Sequence, residues 1–330
     1  MAYGSGLGAS VGVGEEGTFG TYEAPDRFFA AKSFNVKKVQ NVVPVSGVAA
    51  GRIAAPDEVV TTTAATGNLQ TDVLRKDFGL LLAHLMGSTA SPVQQAATAA
   101  YLQTHAWGDN FGNSLTLQGG VPNAAGTVVP KTATGCKITQ GQFSCAVDGL
   151  VEATFDFDAQ AYVEDETLAA PSYTASNSPF HFGEMAVRLG TFASEASVQG
   201  VRSVNLTIAR GMDVGRFYAG NSGVKSEQIA NEFVAVSGTL EVDHVTAADF
   251  NDRFINHTST SMVVEWVGAT AIATTYFPTL SFTMPKVYFG DHISEVSGPD
   301  VIKASIPFTA FLDTTNGLVT AKYMSTDTAV

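Results

Sequence analysis

Short stretches of apolar–polar alternation recur along this chain. Ala153-Thr154-Phe155-Asp156-Phe157-Asp158 alternates without a break, and Asn113–Gln118 does the same around Leu115 and Leu117. A period of two sends successive side chains to opposite faces, so each stretch reads as a strand with one buried face. Ser33–Val42, the β-branched Val59–Ala64 and Lys137–Thr139 are further strands expected in the first half. The second half offers Ser203–Ile208, Phe233–Val242, Ser261–Val267, Thr279–Met284 and Val301–Phe308. Helix signals are few. Asp72 or Asp77 precedes the apolar run Phe78–Met86, which Gly87 ends, and Thr246-Ala247-Ala248-Asp249 resembles a capping box ahead of Phe250–Ile255. The Ala- and Gln-rich stretch Pro92–His105 reads as a further helix, without a counterpart elsewhere.

These signals come twice in the same order. Ser33-Phe34-Asn35-Val36, Gly51-Arg52, Gly67-Asn68-Leu69 and Asp77-Phe78 are echoed by Ser203-Val204-Asn205-Leu206, Gly215-Arg216, Gly238-Thr239-Leu240 and Asp249-Phe250. Leu150–Phe157 aligns without a gap to Val301–Phe308, with Ala and Phe in the same places. Blocks that recur in order are what a tandem duplication leaves; chance similarity between two β-rich segments is the alternative. At about 100–200 residues per domain, the length of the chain also suggests two domains. Residues 1–168 and 180–330 are the expected repeats, with 169–179 as a linker rich in Ser, Ala, Pro and Asn. Each half is long enough to bury its own core. The expected architecture is mainly β: several antiparallel strands and one flanking helix, twice over, with Phe78–Met86 equivalent to Phe250–Ile255.

Composition adds that much of the surface meets other subunits. Charged residues make up 15% of the chain, against a usual fraction of about 25%, and large subunit interfaces account for the deficit. The formal net charge of −13 excludes a nucleic-acid-binding surface built on clustered Lys and Arg. That charge is evenly shared: residues 1–165 carry 9 basic and 15 acidic side chains, residues 166–330 carry 9 and 16. Met1–Gly8 has neither a basic region nor an apolar core, so no signal peptide is expected, and no apolar run is long enough to span a membrane. Cys136 and Cys145 flank Gln140-Gly141-Gln142 and could bridge a hairpin; in an intracellular context free thiols are expected.

Candidate chemistry is sparse, and no catalytic, cofactor or metal site is expected. Gly4-Ser5-Gly6-Leu7-Gly8 lacks the strand before it and the Gly-Lys-Ser/Thr ending of a phosphate loop, and reads as a flexible or interface-forming N-terminus. Glu164-Asp165-Glu166 and the pair Asp156 and Asp158 could chelate a cation but lack the pattern of a calcium loop. His84, His105, His181, His244, His257 and His292 show no zinc spacing, and His84 falls inside an apolar helix.

Gly6–Thr21, with its glycines, the acidic pair Glu15-Glu16 and the closing Phe19-Gly20-Thr21, resembles the opening of tail tube proteins of long-tailed bacteriophages. Arg27-Phe28-Phe29, Gly51-Arg52, the helix ending at Gly87, and Gly298-Pro299-Asp300-Val301-Ile302 followed by Pro307-Phe308 extend the resemblance over nearly the whole chain. It departs from the family in the linker and around Pro92–His105. The resemblance implies two tandem tail-tube-like β-sandwich domains whose inner sheets join around a ring into a β-barrel. Rings would stack into a hollow tube that conducts double-stranded DNA into the host, with an acidic lumen repelling phosphate. Two domains per chain would make trimeric, pseudo-hexameric rings. Expected partners are further copies and other tail proteins (tape measure, tail terminator, distal tail), with assembly in the host cytoplasm and no membrane. The long segments Val43–Glu58 and Ala209–Ala230 are then loops that stack rings, with Arg52 and Arg216 as candidate contacts. A neck or capsid-decoration protein and a carbohydrate-binding β-sandwich remain the alternative readings; for the latter only Trp107 and Trp266 could serve as platforms.

Overall fold

The alternating stretches form strands, and the strands build the same sheet twice. The computed structural model describes residues 5–88, 91–243, 250–291, 299 and 302–330. Gly4, His244, the capping stretch Thr246–Asp249, His292, Gly298, Asp300 and Val301 lie outside the described residues. In the first half the main elements are β1 (Ser10–Glu16), β2 (Ala31–Pro44), β3 (Glu58–Asp72), α1 (Gly79–Met86), β4 (Tyr101–Ala106), β5 (Ser114–Pro122), β6 (Val128–Ala146) and β7 (Glu152–Ala159). In the second they are β8 (Met185–Thr191), β9 (Val201–Ala209), β10 (Ala235–Asp243), α2 (Asn251–Ile255), β11 (Thr260–Val267), β12 (Thr279–Phe289), β13 (Lys303–Ala310) and β14 (Thr320–Ser325).

Hydrogen bonding sets β2, β3, β7 and β6 side by side in that order, all antiparallel. It sets β9, β10, β13 and β12 in the same way. The long strands β6 and β12 each pass on into a second layer, where β6 pairs with β5 and β5 with β1, while β12 pairs with β11 and β11 with β8. Strand order is therefore the same in both halves. So is register: Val36 faces Gly67 and Gly67 faces Phe157, as Leu206 faces Gly238 and Gly238 faces Phe308. The first of the two leading hairpins is irregular between Asn41 and Val42, and both share one irregularity, between Ala31 and Ser33 and between Val201 and Ser203. The residue skipped is basic each time and ion-pairs with an Asp at the end of the partner strand, Lys32 to Asp72 at 2.7 Å and Arg202 to Asp243 at 3.3 Å. A slip of one residue would turn every side chain to the other face, so a shared register ties the two hydrophobic patterns together. Gly238 is required for close approach, since a Cβ there would lie 2.0 Å from the Asn205 carbonyl oxygen and 2.5 Å from the Phe308 ring.

The core lies between the layers and runs through both halves. Val36, Leu69, Phe155 and Phe143 meet Leu206, Leu240, Ile306 and Phe308 in one buried cluster, and the Phe143 and Phe282 rings touch across the halves at 4.7 Å. Cys136 and Cys145 are free thiols buried on β6, and burial pushes both above their ordinary pKa. Helix α1 is apolar on every side and buried throughout, as a helix enclosed by other elements must be. Gly87 closes it in the left-handed conformation, φ 66°. Helix α2 is shorter and none of its residues is buried; Phe250, just before it, anchors on Phe289 at 5.1 Å. The two helices hold equivalent places in the chain but only the first is core.

Two segments differ from expectation. Pro92–His105 is no helix: Tyr101–Ala106 is β4, paired with β14 from the end of the chain, His105 opposite Ala321. Ala96 and Ala97 have φ of 45° and 55°, which no right-handed helix allows. Cross-strand pairing with a partner more than two hundred residues away outweighs the helix preference of Ala and Gln. Gly6–Gly8 is an exposed 3-10 turn, and Ser10–Glu16 after it, for which no element was expected, is a buried strand, β1. Its Glu16 carboxylate accepts from the Gly20 and Gly135 amides at 2.8 and 2.9 Å and from the Ser114 and Thr116 hydroxyls, so the acidic pair supplies a buried hub that fixes β1 to β5 and β6.

Strand β4 also carries a pH-sensitive group. Burial holds His105 at a pKa of about 4, below its ordinary 6.5. Only the unfolded chain can take up the proton in that window, so this contribution is complete above pH 6.5 and is lost as the pH falls toward 4. The loss amounts to about 3 kcal/mol at pH 4. Urea titrations between pH 7 and 4 should show a shallower decline for His105→Gln than for the parent chain.

Candidate assembly surfaces

Strand β9 pairs with β10 on one side and with the C-terminal half of β6 on the other, Ser203 opposite Ala146 through Ala209 opposite Gln140. That junction merges the two four-stranded sheets into one of eight strands. Its outward face is built mainly from hydroxyl and amide side chains, with Lys37, Asp156, Glu241 and Lys303 among them. Ser33, Gln70, Thr154, Gln142, Thr207, Ser237, Thr309 and Tyr288 stand opposite one another in a single row across all eight strands. They bond laterally, Ser33 to Gln70 at 3.2 Å and, in neighbouring rows, Asn68 to Asp156 at 2.6 Å and Gln142 to Asn205 at 3.1 Å. Lys32 neutralises Asp72 and Glu152 at one edge, and Arg202 neutralises Asp243 nearer the middle. The face is polar, wettable and sparing in unpaired charge.

The connection from β9 to β10 folds back over the first half. Lys225 reaches Asp158 at 2.6 Å, Gln228 donates to the same carboxylate at 2.6 Å, and Lys137 binds Glu227 and the carbonyls of Asn110 and Gln228. All of these groups are buried or nearly so. Burial raises the Asp158 carboxyl above its ordinary value against the pull of Lys225, and lowers the Lys137 ammonium against the pull of Glu227. Arg210, fully buried, donates to the Leu85 carbonyl at the end of α1 at 2.7 Å and to Gly108, and its guanidinium lies 4.5 Å from the Trp107 ring. The two halves are thus clasped by strand pairing, by β4 with β14, and by a buried polar network.

The matching connection in the first half does not fold back. Beyond Val43, β2 and β3 continue as an arm with Val45 N–H donating to the Asp57 carbonyl at 2.8 Å. Along it Val39, Val42, Val43, Val45, Val59 and Val60 are exposed, as are Val48 and Ile53 near the tip. Strand β2 has a pairing partner on one side only among the described residues, an edge of the kind that takes up another strand.

Arg52 and Arg216 occupy different settings. Arg52 is exposed at the arm tip, 3.4 Å from the Gly47 carbonyl. Arg216 is held by its own loop, bonded to the Glu227 carbonyl and to the Tyr218 hydroxyl at 3.1 Å. The structure does not bring them together. Asp156 and Asp158 are likewise separated in role, one on the open face and one inside the clasp. Glu164 accepts from Tyr162 at 3.0 Å. No cluster of His, Cys, Asp or Glu able to hold a metal occurs among the described residues. Trp266 is buried outright and Arg210 stacks on Trp107, so neither forms an open sugar platform. The clasp residues left no local signature: Lys137, Asp158 and Lys225 become neighbours only through the β6–β9 junction.

A two-layer β-sandwich with an open strand edge, an apolar arm and a polar outer face defines a protein made to associate with its own kind. A family model for phage tail tube proteins matches residues 6–310, and the chain belongs to that family. No curated protein matches it. Its role is accordingly structural, as a component of the phage tail tube. No helix among the described residues is long and apolar enough to cross a membrane.

The clasp should be costly to break by halves. Asp158→Ala leaves the buried Lys225 ammonium without its anion and should lower unfolding stability by about 3–5 kcal/mol. Replacing the pair together, Asp158→Leu with Lys225→Met, should recover much of that loss. Urea denaturation of the three chains measures both effects.

Proposed function

We propose that three chains close into a ring of six tube domains, residues 1–168 and 180–330 of each, joined by 169–179, and that such rings stack into the tube through which the phage genome leaves. The observation that carries this reading is the half-used junction. Strand β9 is closed on both sides, by β10 and β6, whereas its equivalent β2 has a partner on one side only among the described residues. A neighbouring copy that covers β2 as β6 covers β9 continues the sheet from chain to chain, and repetition closes a barrel. Eight strands per chain give about 24 in a three-chain ring, wide enough for an aqueous channel. Six chains would double the circumference and leave a channel much wider than a duplex needs.

The outward face of the eight-stranded sheet, outside the stretch that the β9–β10 connection covers and its equivalent around Tyr288 and Phe311, then lines the lumen. Its hydroxyl and amide rows offer DNA no cationic patch, and the net charge of −13 per chain keeps phosphate from adhering. The arm tip reaches the adjacent ring, where Arg52 pairs with a carboxylate, while Arg216 acts by bracing its own loop. Tape-measure, terminator and distal tail proteins meet the tube inside and at its ends, and assembly takes place in the host cytoplasm before incorporation into the virion.

Cryo-EM cross-sections of assembled tubes should show three chains and six similar lobes per ring; six chains per ring would refute the trimer. Arg52→Ala should reduce tube length at least several-fold in negative stain while single rings persist. Arg216→Ala should matter less. Tubes of parental length from the double variant would remove both arginines from stacking.

A further inference from the structure

The equivalence of the halves identifies what should lie beneath each connection. In the first half the β9–β10 connection lies over four positions: Thr63, whose N–H donates to the Gly223 carbonyl at 2.9 Å, and Lys137, Asp158 and Gln160. The shared register puts Val234, Tyr288, Thr309 and Phe311 at those positions in the second half. Lys137 faces Asp158 as Tyr288 faces Thr309, and the gapless alignment of β7 with β13 carries Gln160 to Phe311.

In the second half no clasp covers that surface. Phe311 is 49% exposed, and the chain neighbours of Phe311 and Val234, Leu312 and Phe233, are 65% and 101% exposed. Tyr288 stacks on His257 at 4.8 Å and meets the edge of Phe311 at 5.5 Å, which gives the patch a defined shape. Single exposed apolar residues are ordinary, but a contiguous aromatic cluster marks a contact surface. The connection that would cover it by equivalence is the β2–β3 arm, whose valines are also exposed. The arm cannot reach the patch of its own chain along the sheet. Strand β2 and strand β12 are the two ends of an eight-stranded sheet, roughly 30 Å apart at the usual strand spacing.

We infer that the valine-lined arm of one copy, Val39–Val45 with Val59 and Val60, docks in the Phe233–Tyr288–Phe311–Leu312 socket of the next copy. The contact is head-to-tail, each chain giving an arm on one side and a socket on the other, the type of interface that closes rings. It rests on the ring reading above and adds to it a lateral contact within the ring, distinct from the stacking contact at the arm tip. It also gives the exposed valines of the arm stem a lateral surface to cover.

Two variants test it. Phe311→Glu with Leu312→Glu charges the socket and leaves the arm intact; Val43→Glu with Val45→Glu does the reverse. All four positions are exposed, so each variant should keep the parental far-UV circular dichroism and melting temperature. Each alone should pellet as tubes at least tenfold less than the parent. Mixed together, they should form 1:1 dimers and nothing larger, because one good arm and one good socket remain. As a second measurement in otherwise unaltered chains, Val43→Cys in one and Leu312→Cys in another should crosslink on mild oxidation, while the buried Cys136 and Cys145 stay out of reach. A socket variant that assembles as readily as the parent, or a mixture without dimers and without crosslinks, overturns the docking while leaving the ring reading intact. A parent chain that never associates overturns both.

Discussion

Pairing of β9 against the C-terminal half of β6 is the contact on which the rest of the structure depends. It buries an edge that would otherwise be open in the second repeat, and sets the two inner sheets in one continuous register. It also brings the β9–β10 connection within reach of Lys137 and Asp158, so that a polar network can form in which each repeat gives one cation and one anion to the other. Backbone pairing provides direction and the buried ion pairs provide specificity, a division expected where apolar packing alone would tolerate several arrangements.

The chain closes one such junction and leaves the far edge of β2 without a partner among the described residues; the valine-lined arm and the aromatic residues near β12 and β13 stay exposed. Within the chain the covered surface is ionic and buried; at the outer positions it is apolar and exposed. That difference suits the two situations. A contact formed once during folding can bury matched charges, while a contact formed between separately folded chains is better made from surfaces that lose only water. The low charged fraction of the chain follows from the same arrangement.

The polar rows of the inner sheet show how one alternation serves two purposes. The same strands place Phe143, Phe155, Leu206 and Ile306 inward and Gln142, Thr154, Thr207 and Ser305 outward. Hydroxyls and amides bonded sideways to one another, as Ser33 to Gln70 and Gln142 to Asn205, or to a carboxylate, as Asn68 to Asp156, make a polar face without a cationic patch.

How much of this was legible beforehand follows from the range of the forces involved. Alternation marked Ala153–Asp158 and Ser203–Ile208 as strands, and the apolar run to Gly87 as a helix, because these depend on neighbours along the chain. Pro92–His105 was misread because its composition favours a helix, whereas its conformation is dictated by β14 at the far end of the chain. Arg52 and Arg216 look alike in sequence and differ in the structure, one free at the tip of an arm and the other tied into a clasp. Sequence by itself determined which face of each strand is apolar and that the same blocks recur in order. Only the tertiary structure decided which edge each repeat closes and which it leaves for a neighbour, because strand edges are satisfied by partners that may lie anywhere along the chain.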